Sequence, residues 1–218
     1  MDYNFDLDEY MKMTYSTLEL KKPLFYNWSI GVRFELGGND LIDFNKRMEQ
    51  IYYRTQTLFH KLNKDNHEIF LVSFLDSWDD EPITKNEPVL LNSLKRYVSS
   101  EGLISKISKI RVPFRYPDLD DDFDTQTYRY CLKCKVEDID SSNFLEALAN
   151  QYVGKVPYVI GDTYIINTTN NTIFHLYDDR GIDVISNTRE AIKALYQECN
   201  EWILNYDKKR IDGIFQTN

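Results

Sequence analysis

"TYIINTTNNTIFHLYDDRGIDVIS", residues 163–186, decides the fold. Three short runs in it, "TYIINT", "TIFHLYD" and "IDVI", are rich in β-branched and aromatic residues and are bounded by Asn, Asp and Gly, as strands are. Asn170-Asn171 suits the first turn, because asparagine tolerates the backbone of a tight hairpin. Asp178-Asp179-Arg180-Gly181 fits a type I turn: the Asp178 carboxylate accepts a backbone N–H, and Gly181 takes a positive φ and forms the bulge that lets the strands rejoin. The spacing predicts a three-stranded antiparallel meander with Tyr177 opposite Asp183 and His175 two residues back on the same face.

Working outward, the same alternation recurs. "IGVRFEL" (30–36) puts Ile30, Val32, Phe34 and Leu36 on one face and Gly31, Arg33 and Glu35 on the other, which reads as a strand with one wet face. "TYRYCLKCKVEDI" sends Tyr128, Tyr130, Leu132, Cys134 and Val136 inward and Arg129, Lys133 and Lys135 outward. "HEIFLVSFL" (67–75) is apolar on both sides and reads as an internal strand. "SKIRVPFRYP" (108–117) is extended, and Pro113 marks an edge or a bulge.

Between these lie helical periods. "DLDEYMKMTY" predicts a short helix near the start. From Leu41, capped by Asn39, apolar residues recur in steps of three and four through Phe44, Met48, Ile51, Leu58 and Leu62, the stripe of a long amphipathic helix. "VLLNSLKRYVSS" predicts a second helix stopped near Gly102. "NFLEALANQYV" has Asn143 and Glu146 in capping-box spacing, and a last helix from Asn187 carries Ile192, Leu195, Cys199, Trp202, Ile203 and Tyr206. The mixed order gives an α+β class: a largely antiparallel sheet, helices packed on one side, and a C-terminal meander followed by a long helix. Residues 1–117 read as an N-terminal half, 118–126 as an acidic linker or loop, and 127–218 as a C-terminal half. One continuous domain is the alternative.

At 218 residues the chain buries roughly 70% of its unfolded surface and needs no disulfide or metal staple. Three cysteines, an odd number, argue for a reducing cytoplasm over a disulfide framework. The start is acidic where a signal peptide is basic, and no apolar run approaches a membrane span. The formal net charge of −9 repels nucleic acid and anionic lipid and favours a basic protein as a charged partner. Tyrosines number 16, which suits half-buried strands and also a protein-binding surface.

"CLKC" invites a zinc reading, but Cys131 and Cys134 three apart on a strand point to opposite faces, and no second half-site exists. "DLDDDFD" resembles the opening of a calcium loop, yet Phe123 and Arg129 occupy the positions that need Gly and Glu, leaving a solvated acidic segment. "DSWDDE" is a second acidic loop, with Trp78 at its centre. No phosphate loop, nucleophile elbow or metalloprotease motif is present. No metal or cofactor is therefore expected, and no catalytic residue is assigned. Arg33, Arg129, Lys133 and Lys135 on the wet faces offer an anion site, or are simply solvated. His175, Tyr177, Asp179, Arg180 and Asp183 are the candidate binding residues, with Asp178 and Gly181 building the turn. The cluster reads either as a polar site or as a buried network tying the hairpin to a helix.

"IFHLYDDRGIDVI", followed by "EWILNYDKKRID", resembles a bacterial family of unknown function marked by a Tyr-Asp-Asp-Arg-Gly motif, here Tyr177 to Gly181. "WSIGVRFELG" and "YCLKCKVEDI" extend the likeness over most of the chain. The resemblance implies no activity, substrate or cofactor. Small acidic α+β proteins of this type look like immunity proteins to secreted toxins, an analogy of class. The expectation is a non-enzymatic cytoplasmic module that binds a basic protein. An enzyme or small-ligand sensor built around the hairpin is the alternative.

Overall fold

The computed structural model describes residues 2–38, 43–77, 83–119 and 125–216. Among them, seven strands form one antiparallel sheet: β1 (Gly31–Glu35), β2 (Glu68–Ser77), β3 (Ser108–Val112), β4 (Gln126–Lys135), β5 (Asp162–Asn167), β6 (Thr172–Asp178) and β7 (Gly181–Ser186). Their spatial order is β1-β7-β6-β5-β2-β4-β3. The helices are α1 (Tyr3–Thr14), α2 (Phe44–Leu62), α3 (Ile83–Leu94), α4 (Glu101–Ile104), α5 (Ser141–Asn150), α6 (Glu190–Glu198) and α7 (Asn205–Gln216). The class is α+β, with the expected meander β5-β6-β7 and an internal β2 flanked by β4 and β5. Strands from before residue 118 and after residue 125 interleave: β1 pairs with β7, and β2 sits between β5 and β4. Residues 120–124 of the acidic segment, and 78–82 of the other, lie outside the described residues.

Two neighbouring register rows explain the layers. Val32, Val184, Phe174, Ile165, Leu71 and Leu132 align across six strands, and every one is buried. Each such side chain contributes about 1.5–3 kcal/mol on burial. Helix α2 covers this face with Met48, Ile51, Thr55, Leu58, Phe59 and Leu62, the ring of Phe59 standing edge-on to Phe174 at 5.6 Å. Helices α5 and α6 complete the layer.

The next row reads Arg33, Asp183, His175, Tyr164, Val72, Cys131 and Ser108, and faces the other way. That face is covered as well, which corrects the wet faces expected for β1 and β4. Helix α1 lies over β3 and β4, where Arg129 bonds Asn4 and Asp8. Residues 24–27 form a 3-10 turn over β7 and β1, and α7 packs beyond it against β1. Arg33 is 9% exposed because its charge has a partner across the sheet.

Three boundaries differ from expectation. The cap of α2 is Asp43, whose carboxylate accepts the N–H groups of Asn45 and Lys46; Asn39 and Leu41 lie outside the described residues. The cap of α5 is Asp140, so Asn143 sits in the first turn. The helix after residue 83 ends at Leu94 rather than near Gly102, because Val98 leaves it to bridge Ile139. The C-terminal helix is also interrupted. After α6 and a 3-10 turn, Ile203 is extended and bridges Phe34 at the edge of β1, and α7 then starts afresh. Ile211 is buried in α7, whereas Tyr206 is 85% exposed. Among the described residues no helix is long and apolar enough to cross a membrane.

Candidate functional site

The hairpin between β6 and β7 is built as a turn first. Asp178 pairs with Gly181, leaving Asp179 and Arg180 as the two corner residues. The Asp178 carboxylate accepts the backbone N–H of Arg180 at 2.8 Å, and its second oxygen accepts the Arg180 Nε at 2.8 Å. Arg180 is the presented residue, with a side chain 71% exposed. Asp179 turns back onto α2, where Arg47 Nη1 lies 2.6 Å from its carboxylate.

Two details of the predicted geometry change. A bulge at Tyr177 sets two residues of β6 against one of β7, so Asp183 lies opposite His175 instead of Tyr177. Gly181 has no positive φ. It is required by proximity: a Cβ there would fall 2.1 Å from the Tyr177 hydroxyl and 2.7 Å from the carbonyl oxygen of Phe34 on β1.

Below the turn the polar row holds two nests of charge. In the first, Asp183 has no exposed surface and takes a two-pronged bond from Arg33, Nε at 2.7 Å and Nη2 at 2.8 Å. Its Oδ2 also accepts the backbone N–H of Phe25 at 3.0 Å. The guanidinium lies under the rings of Tyr177 (4.6 Å) and Tyr26 (4.8 Å). Arg210 of α7 covers Phe25 and Tyr26 from outside, and Tyr26 donates to Asp207. Burial opposes the charge on Arg33, but the Asp183 carboxylate outweighs it and raises the pKa further above the ordinary guanidinium value.

The second nest centres on Asp162, which sequence reasoning does not single out. Gly161, at φ +101°, turns the chain where a Cβ would meet the Phe74 carbonyl at 2.9 Å, and so delivers Asp162 into β5. Oδ1 of Asp162 meets His175 Nε2 at 2.8 Å and Lys22 Nζ at 3.4 Å. Oδ2 accepts from Arg115 Nη1 at 2.8 Å and from the Tyr164 hydroxyl at 2.9 Å. Burial works against ionisation, yet His175, Lys22 and Arg115 together hold this carboxyl far below the usual carboxylate range. The Tyr164 ring stacks on His175 at 4.0 Å, and its hydroxyl is pushed well up by burial and by Asp162.

The arrangement thus gathers His175, Tyr177 and Asp183 on one covered face, leaves Asp179 on α2, and exposes Arg180. His175 and Asp183 have no accessible surface. Arg33 joins Asp183, but Arg129 belongs to α1's contacts, so the basic residues of the two strands form no common anion site. Cys131, Cys134 and Cys199 are all buried, and burial raises each thiol, Cys134 to about 12. Among the described residues no group of three His, Cys, Asp or Glu side chains could hold a metal ion. Sequence reasoning missed Lys22, Arg115 and Asp162; residues 163–167 of β5 are all buried, so alternation along that strand does not set Asp162 apart.

Residues 7–207 match the family described as "Domain of unknown function (DUF3885)". The chain is also similar to "Uncharacterized protein YnaE" of Bacillus subtilis (strain 168), 26% identical over 211 residues that cover 90% of this chain and 96% of that protein. No solved structure matches it.

Proposed function

We propose, for a chain that belongs to the DUF3885 family of unknown function, a role as a non-enzymatic cytoplasmic module that binds a basic protein partner, of the kind played by immunity and antitoxin-like inhibitors. The observation that most supports this reading is the commitment of the ionisable groups on either side of the turn to internal partners. His175 and Asp183, the side chains best suited to acid–base chemistry, are fully buried and held by Asp162 and Arg33. A general acid or base has to come within hydrogen-bond reach of a substrate. Arg180, by contrast, projects from a two-residue turn braced by Asp178 and, through Asp179, by α2. Such a rigid tip suits recognition, since little side-chain and loop freedom is lost on binding. The net charge of −9 supports a basic partner through long-range attraction.

The test is capture from the native host with a photo-crosslinking residue at position 180, followed by reconstitution with the purified partner. The expected result is a defined complex with a basic protein whose affinity falls as salt rises, is weakened by Arg180→Ala, and protects cells from that partner when it is toxic. Because the Arg180 side chain is exposed, the same variant leaves stability within about 0.5 kcal/mol. An acidic captured partner, or an affinity indifferent to salt and to Arg180, sinks the reading.

A further inference from the structure

Helix α3 turns Leu90 and Leu94 into the core and leaves Val89 and Asn92 outside, with Arg96 following in the turn after the helix. Facing them are Val156, Pro157 and Tyr158, in the loop that leads into β5. A groove of about 380 Å³ runs between these two walls. Its size lies within the range of ligand sites, roughly 300–1,000 Å³. Val89 is 43%, Val156 75% and Tyr158 37% exposed. Apolar side chains scattered singly over a surface need no explanation, but several gathered along one groove mark a place where something binds.

The polar groups of the groove are unspent. Among the described residues, neither the Asn92 carboxamide nor the Arg96 guanidinium has a hydrogen bond, ion pair or ring contact within the chain. Ser93, by contrast, gives its hydroxyl to the Val89 carbonyl. No acidic residue lines the groove among the described residues, and Arg96 supplies its charge. Exposed Lys95 and Lys155 adjoin it. The site is therefore locally positive on a chain of net charge −9.

The order of these groups specifies the occupant. A carboxamide offers a donor and an acceptor together, as the backbone of an extended chain does. A free guanidinium is matched to a carboxylate. Val89 and Arg96 stand about 10 Å apart along the helix direction, the reach of about three extended residues. We propose that this groove binds an extended peptide segment in which an apolar residue precedes a carboxylate. The apolar side chain lies among Val89, Val156 and Tyr158, the backbone pairs with Asn92, and the carboxylate meets Arg96. The carboxylate belongs either to an acidic side chain or to a chain end. This assignment stands apart from the partner of the Arg180 turn, and neither depends on the other.

Titration of the full chain, followed by backbone amide shifts, tests it with short peptides. Acetyl-Leu-Ala-Glu-amide carries a side-chain carboxylate and acetyl-Leu-Ala-Ala a terminal one; the tighter of the two identifies the source. At least one is expected to saturate, with shifts at residues 89–96 and 155–159. Acetyl-Leu-Ala-Gln-amide, which lacks the charge, and acetyl-Ser-Ala-Glu-amide, which lacks the apolar side chain, should each bind about fivefold or more weaker. Arg96→Gln should weaken the carboxylate peptides to the level of the Gln peptide, leave the Gln peptide unchanged, and leave the melting curve in place. Val156→Asp, at an exposed loop position, should weaken every peptide and keeps the test open if Arg96→Gln is unstable. The proposal is overturned if neither carboxylate peptide saturates, if the shifts map elsewhere, if the Gln or Ser peptide binds as tightly, or if Arg96→Gln affects charged and uncharged peptides alike.

Discussion

Glycine at position 181 answers to a neighbour's position and not to a backbone angle. The Tyr177 hydroxyl and the Phe34 carbonyl together leave no room for a Cβ. Gly181→Ala should cost about 1–3 kcal/mol, the usual penalty for overpacking. Gly181→Asn separates the two explanations, because asparagine tolerates a left-handed backbone but is larger than alanine. Denaturant midpoints are expected to rank Asn no better than Ala; an Asn variant clearly more stable than Ala would restore the conformational account. Asp162 makes a second prediction at this scale. A carboxyl whose folded pKa is depressed adds stability that is fully present above its unfolded value, about 3.9, and is lost as pH falls below it. Asp162→Asn takes from Arg115 and Lys22 their nearest counter-charge, leaving Arg115 with Asp76 at 3.8 Å, and should cost about 3–5 kcal/mol at neutral pH. The gap between the two proteins should shrink in unfolding curves taken below about pH 4. A gap independent of pH would show that packing, not charge, dominates there.

The strands show how far local pattern carries. The apolar row from Val32 to Leu132 is legible at its ends, where β1 and β4 alternate, while β2, apolar on both sides, and the meander strands are legible from composition and turn residues. The polar row is written in the same alternation, but a charged residue at every second position has two physical meanings. It either meets water or meets an opposite charge on another strand. For Arg33 the deciding residue is Asp183, 150 positions away, and no window of local sequence contains both. The His175–Asp162 bond spans only 13 positions, but it depends on the β5–β6 register, which the alternation of neither strand fixes by itself. The broken C-terminal helix has a similar cause: its stripe runs on through Ile203, which the edge of β1 claims. A prediction follows for the β1–β7 pair. Arg33→Met should cost about 3–5 kcal/mol by stranding a buried carboxylate, while Arg33→Met with Asp183→Leu should recover most of it. Equilibrium unfolding of the single and double variants measures the difference. A double variant as damaged as the single one would assign the loss to the aromatic stack of Tyr177, Tyr26 and Phe25 around Arg33.

At the scale of the molecule, a single sheet is insulated on both faces, and its thiols report that insulation. Cys131 and Cys134 lie back to back across β4, and Cys199 is sealed where α6 ends. All three are expected to resist an aromatic disulfide reagent in native buffer and to react promptly in denaturant, because the reactive thiolate is suppressed by burial. Rapid labelling of Cys131 in the native protein would mean that α1 opens freely from β4. Composition alone indicates an acidic globular chain with many tyrosines. It does not reveal that Arg33 pairs with Asp183 and His175 with Asp162 inside the sheet, because that pairing depends on strand order.

That order has a temporal side. A ribosome delivers the chain from one end, and β1 emerges long before β7, the strand it must pair with. The Arg33–Asp183 separation of 150 residues corresponds to a delay on the order of ten seconds at ordinary elongation rates. Throughout that interval Phe25, Val32 and Phe34 have no sheet to join. The newborn chain therefore carries a sticky, unfinished edge for most of its synthesis, and a chaperone that recognises short apolar strands has its longest opportunity here.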